Sequence, residues 1–125
     1  MRRRRPVFDH TLPEDRDDFR ASREKRFGTT LEALHERREA QRGAARERFA
    51  PLRLTLTVLK QPFLSGHEAG YADFMVAGAL LWAASVATMP LLEANDPVVG
   101  WFERVRDLCG GAGRTSPTHD IVQRE

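Results

Sequence analysis

From Phe74 to Leu92 the chain runs nineteen residues without a charged side chain, framed by Asp73 and Glu93. A run this long admits few folds. About twenty apolar residues suffice to cross a bilayer, and a helix apolar on every face is equally what the centre of a helical bundle needs. The residues inside the run decide between the two. Ala77, Gly78, Ala79, Ala83 and Ala84 are small enough to let neighbouring backbones approach. Ser85, Thr88 and Pro90 interrupt the apolar character, and no Lys or Arg flanks either end to anchor it among lipid headgroups. The run is therefore expected to be a buried central helix, with no membrane involvement.

A buried helix cannot leave its first amides to water. Asp73, three residues beyond Gly70, is placed to accept from the backbone N–H of Gly70, one half of a capping box. Asp96 followed by Pro97 marks a second strong start, an N-cap acid with proline at the first helical position. After it, Val98, Trp101, Phe102, Val105 and Leu108 recur at helical spacing as an inward face, until Gly110, Gly111 and Gly113 stop the pattern. Gly70, Asp73 and Asp96 are thus read as structural caps.

Two helical stretches precede the apolar run. Pro13 suits a first helical position, Glu14, Asp15, Asp17 and Asp18 complement the positive helix start, and Gly28 can end a segment closing at Phe27. Thr29 with Glu32 then predicts a capping box. From there Leu31, Leu34, Arg38, Gln41, Ala45, Phe49, Leu52, Leu56 and Leu59 step by threes and fours along one long helix, which Pro51 should kink. Arg38 and Gln41 on that seam argue against a coiled coil. Phe63 to Gly70 reads as a loop, and no strand alternation appears. The fold class is all-α. Residues 1–12 are expected as a basic disordered start or linker, 13–114 as the domain, and 115–125 as a disordered tail.

The overall charge of +2 conceals a gradient. Residues 1–60 carry 16 Lys and Arg against 10 Asp and Glu, residues 61–125 carry 4 against 8, and much of the basic excess lies in Arg2, Arg3, Arg4 and Arg5. Such a terminal run can steer polyanions, but no basic stripe with interleaved aromatics continues it, so nucleic acid is not expected as a partner. The segment after it is too polar for a secretory signal and too acidic for a mitochondrial one. With the single Cys109, which precludes an internal disulfide, the expected compartment is the cytoplasm.

Chemistry-bearing patterns are thin. His35-Glu36 and His67-Glu68 open like a zinc-protease helix motif, but the fifth position is Glu39 or Tyr71 rather than His. Cys109 falls at a helix C-terminus, where the dipole disfavours a thiolate. Gly110-Gly111-Ala112-Gly113-Arg114-Thr115 lacks the first glycine and the lysine of a phosphate loop and follows a helix rather than a strand. Tyr71, Phe74, Trp82 and Trp101 fit core packing at their spacing. No catalytic, cofactor-binding or metal-binding residue is assigned.

The stretches Phe63-Leu64-Ser65-Gly66, Gly70-Tyr71-Ala72-Asp73-Phe74, Leu81-Trp82-Ala83 and Asp96-Pro97-Val98-Val99-Gly100-Trp101-Phe102-Glu103-Arg104-Val105 follow one another in an order that resembles the C-terminal helical domain of glutathione S-transferases. With Pro13-Glu14-Asp15-Arg16, Ser22-Arg23-Glu24-Lys25-Arg26-Phe27-Gly28 and Asp107-Leu108-Cys109-Gly110-Gly111, the resemblance narrows to the bacterial and fungal branch that includes the β-etherases of lignin breakdown. It covers about residues 13–114. It implies a bundle with an apolar central helix whose cap is Ser or Thr where this chain has Gly70. It also implies glutathione as the cofactor of the full-length family, a hydrophobic small-molecule substrate, and a thioredoxin-like N-terminal domain or a homodimer partner. Residues 1–12 hold no thioredoxin-like domain. The expectation is thus a truncated or split chain that is inactive on its own, with a stand-alone protein-interaction module as the alternative.

Overall fold

The computed structural model describes residues 6–87 and 90–123 of the 125-residue chain. Arg2 to Arg5, read above as a basic start, lie outside the described residues. The described chain is helical apart from one two-stranded pair: α1 (Pro6–His10), α2 (Arg16–Phe27), α3 (Leu31–Glu47), α4 (Ala50–Thr57), α5 (Tyr71–Val86), β1 (Leu92–Glu93), α6 (Pro97–Gly111) and β2 (Val122–Gln123). It divides into two compact units, residues 1–43 and residues 44–125.

The first unit is held by charges and rings. α2 buries none of its residues. It begins after a 3-10 turn, Pro13–Asp15, with the proline in the first turn as expected, and Gly28 ends it in the left-handed conformation at φ +66°, its amide donating to the Glu24 carbonyl. Phe8, in a segment expected to be disordered, packs its ring 6.3 Å from that of Phe19, and the Arg20 guanidinium lies 4.9 Å over Phe8. Arg20 also bonds Glu24 at 3.0 Å and Glu32 at 2.9 Å. Glu32 is therefore an ion-pair partner and not the second half of a capping box at Thr29. The cap is one residue later, where the Thr30 hydroxyl accepts from the Ala33 amide at 3.2 Å.

The single long helix expected from Thr29 to Leu59 is two helices, α3 and α4. Pro51 is the cause. In an uninterrupted helix it would lack an amide for the Glu47 carbonyl and crowd the same group. The chain breaks at Arg48 and Phe49 instead, which places Pro51 in the first turn of α4, where no amide is missed.

The second unit has one core: Leu52 from α4, Ala77, Leu80 and Ala84 from α5, Leu92 from β1, Val98, Trp101, Phe102 and Val105 from α6, and Ile121. Each large member contributes on the order of 1.5–3 kcal/mol of burial. The inward face of α6 falls where helical spacing put it. α5 differs from expectation in two ways. It stops at Val86, well before Leu92, with Pro90 beyond it. And it buries only one face, Asp73, Ala77, Leu80 and Ala84, while Tyr71, Phe74, Met75 and Trp82 face outward, Tyr71 at 80% and Trp82 at 59% exposure. On the inner face Ala77 and Ala84 are small enough to let α6 pack close, whereas Gly78 and Ala79 are exposed. Among the described residues no helix is long and apolar enough to cross a membrane.

α6 leaves helical geometry before its glycines: Leu108 has ψ 160°, and Cys109, Gly110 and Gly111 take φ +54°, +68° and +80°. The segment expected to be a disordered tail is docked over much of its length. The His119 amide donates to the Ala84 carbonyl at 2.7 Å, and the amides of Leu91 and Leu92 both donate to the Ile121 carbonyl at 2.8 Å. Leu92 and Glu93 pair in parallel with Val122 and Gln123. Ile121, 4% exposed, supplies the apolar anchor that a polar tail was not expected to have.

Candidate functional site

The most highly constrained polar group in the second unit is the Asp73 carboxylate, fully buried at 0% exposure. Four N–H groups converge on it. Oδ1 accepts from the Leu64 amide at 2.7 Å and from the Trp101 indole Nε1 at 2.9 Å, and Oδ2 accepts from the Ser65 amide at 3.1 Å and the Gly70 amide at 3.0 Å. The acid thus ties three elements together: the start of α5, the preceding loop with its Phe63–Gly66 bridge, and the middle of α6. Burial pushes its pKa up, but the four donors outweigh burial and hold it below the usual carboxylate range.

Gly70 is the N-cap residue of α5 and has extended backbone, φ −122° and ψ −172°. Its lack of a side chain is a matter of space. A Cβ built there would lie 2.2 Å from Ser65 Oγ and 2.7 Å from Ser65 Cβ. Ser65 occupies the place that a Ser or Thr cap at position 70 would fill.

A second acid, Asp96, whose side chain is 6% exposed, caps α6 by accepting from the Val98 amide at 3.0 Å. It is also gripped by Arg53 of α4, with Nε 3.0 Å from Oδ1 and Nη2 2.7 Å from Oδ2. Burial raises the Asp96 pKa, but Arg53 and the Val98 amide bring it below its ordinary value. Arg53 in turn donates from Nη1 to the Arg46 carbonyl at 2.6 Å. Arg46 bonds the Leu91 carbonyl, Glu93 and Gln123 at 2.6, 3.1 and 3.0 Å. This relay joins α3, α4, the start of α6 and the β1–β2 pair. Gly70 and Asp73 are together; Asp96 belongs to this separate relay. Sequence reasoning found the three caps and missed their partners. Trp101 stood in the core pattern with no sign of its indole's target, and Arg53 and Asp96 are 43 residues apart.

The remaining candidates stay scattered. Cys109 is exposed, and its positive φ belongs to the end of α6 rather than to a nucleophile's nest. Gly110 to Thr115 form the stop of α6 and a 3-10 turn. Among the described residues no group of three or more His, Cys, Asp and Glu side chains could hold a metal ion. Among the described residues two features bear on ligands or partners. One is the outward apolar stripe of α5, in which Tyr71, Phe74, Met75 and Trp82 follow one another at helical spacing. The other is a cavity of about 350 Å³ between α6 and residues 118–122.

A family model described as glutathione S-transferase, C-terminal domain, matches residues 5–103. The match takes in the Asp73 node, the capped start of α6 and the whole of α5.

Proposed function

The chain belongs to the family of glutathione S-transferase C-terminal domains, and from that premise we propose that it supplies the substrate-side helical half of a cytoplasmic, β-etherase-like glutathione transferase. In this reading a thioredoxin-like domain binds glutathione and activates its thiol, and no residue of this chain does so. The observation that carries the reading is the apolar stripe of α5. Four large side chains left outward on α5 are an incomplete surface, of the kind a second domain and a hydrophobic electrophile cover. The β-etherase branch rests on the resemblance of the stretches Pro13–Arg16, Ser22–Gly28 and Asp107–Gly111.

The test is a calorimetric titration of the chain with glutathione, paired with a turnover assay on a β-aryl ether model compound. The chain alone is expected to give no saturable heat and no cleavage. A micromolar affinity for glutathione would overturn the reading. The same stripe also favours a second reading, a stand-alone module that binds another protein. Mapping the 5′ end of the transcript separates the two. An open frame upstream of Met1 that encodes alternating strands and helices supports the transferase half, whereas a stop codon directly upstream puts the interaction module first.

A further inference from the structure

The cavity between α6 and residues 118–122 belongs to neither reading, and its walls have a defined chemistry. Val99, Phe102 and Val122 give it an apolar side, and Glu103, Arg106 and Thr118 a polar one. Its volume of about 350 Å³ lies at the small end of ligand pockets, which start near ~300 Å³.

The charges on the polar side are unequally engaged. Glu103 is taken up by Arg114, whose Nη2 lies 2.5 Å from Oε2, while Arg114 Nε bonds Asp107 at 2.5 Å. Asp120, at the rim, accepts from the Val122 amide at 3.0 Å. Arg106 is different. Its Nε donates weakly to the Gly113 carbonyl at 3.3 Å. Its Nη1 is 3.7 Å from Glu103 Oε1, beyond hydrogen-bond reach, and its Nη2 has no acceptor among the described residues. The guanidinium carbon lies 5.3 Å over the Phe102 ring, and the side chain is only 17% exposed. A half-buried guanidinium with donors to spare matches the two oxygens of a carboxylate. The adjoining apolar wall matches a short hydrocarbon body.

We infer that this cavity is a binding site for a small amphipathic carboxylate, its carboxylate held by Arg106 and its hydrocarbon body packed against Val99, Phe102 and Val122. A bare phosphate or sulfate would leave the apolar wall unfilled, and a neutral hydrocarbon would leave the Nη2 of Arg106 without an acceptor beside its looser pairing to Glu103.

The experiment is a titration of the full chain with octanoate, followed by amide chemical shifts, in parallel with octanamide, its uncharged counterpart. Saturable shifts are expected at Ala84, Phe102, Arg106 and Ile121. Octanamide is expected to bind at least ~10-fold more weakly, since a hydrogen bond to a charged group is worth about that much. Arg106→Gln should lose a similar factor for octanoate, with Arg106→Lys intermediate because the charge stays and the fork is lost. If Arg106→Gln fails to fold, the comparison of the two ligands on the native chain still decides. Equal binding of octanoate and octanamide, shifts centred on Tyr71 and Trp82 of α5, or no saturation by ~10 mM would each overturn the inference.

Discussion

Replacing Asp73 with asparagine tests the central claim about what holds the second unit together. The substitution keeps the shape and one oxygen. That oxygen can serve at most two donors, and the amide group then points its own hydrogens at the other two. If it stays on the Leu64 and Trp101 side, the Ser65 and Gly70 amides, now 3.1 and 3.0 Å from Oδ2, face a donor. Each buried donor left unsatisfied costs on the order of 1–3 kcal/mol, and the two retained bonds lose their charge assistance. Ser65 is exposed and Gly70 half-buried, so water recovers part of the loss. The expected cost is about 2–4 kcal/mol, a large share of the roughly 5–15 kcal/mol that a domain possesses. Urea unfolding followed by tryptophan emission and by helical circular dichroism measures it. A loss below ~1 kcal/mol would refute the argument that the four N–H groups depend on this carboxylate. The pH dependence is a second check on the same group. The Asp73 pKa is lowered in the fold, so its stabilisation is complete above the ordinary carboxylate value of about 4 and is lost as pH falls through the lowered one. The asparagine variant should show a shallower loss of stability below about pH 4 than the native chain.

Gly70→Ser places a side chain where Ser65 already is and should cost about 1 kcal/mol although serine is the better cap; adding Ser65→Gly should restore the loss, as measured by urea midpoints. Cys109 has φ +54° without being glycine, so Cys109→Gly should stabilise the protein by about 0.5–1 kcal/mol, and thermal unfolding would show a rise in Tm. Ile121→Ala removes the apolar anchor of the docked C-terminal segment and should cost about 2–4 kcal/mol, with hydrogen exchange at Leu91 and Leu92 accelerating because their amides both donate to the Ile121 carbonyl.

Helix starts and the α6 core face were legible because their signals are local. Asp96-Pro97 fixes a helix start within two residues, and Val98, Trp101, Phe102 and Val105 repeat at one period. The orientation of α5 was not legible for the opposite reason. A run that is apolar throughout has no period, so nothing in it distinguishes Ala77 and Leu80, which are buried, from Met75 and Trp82, which are exposed. The docked tail was missed because two apolar residues, Ile121 and Val122, in a polar segment carry little weight until the amides of Leu91 and Leu92 are seen to donate to the Ile121 carbonyl. The Arg53–Asp96 pair had no local trace, since the two residues are 43 positions apart and an isolated arginine gives no hint of the acid it meets.

The carboxylates of Asp73 and Asp96 also bear on what kind of site this domain can contribute. A general acid or base needs a pKa near the working pH and a free oxygen facing the substrate. Asp73 has neither: burial alone would move it toward neutrality, but four donors reverse that shift and use the directions from which a proton would arrive. Asp96 is occupied in the same way by Arg53 and the Val98 amide. Both acids are therefore fixed as anions at neutral pH and serve as anchors for the first turns of α5 and α6. They hold rigid the helix that presents Tyr71, Phe74, Met75 and Trp82. A domain built this way presents shape and apolar surface, and neither of these carboxylates is free to transfer a proton.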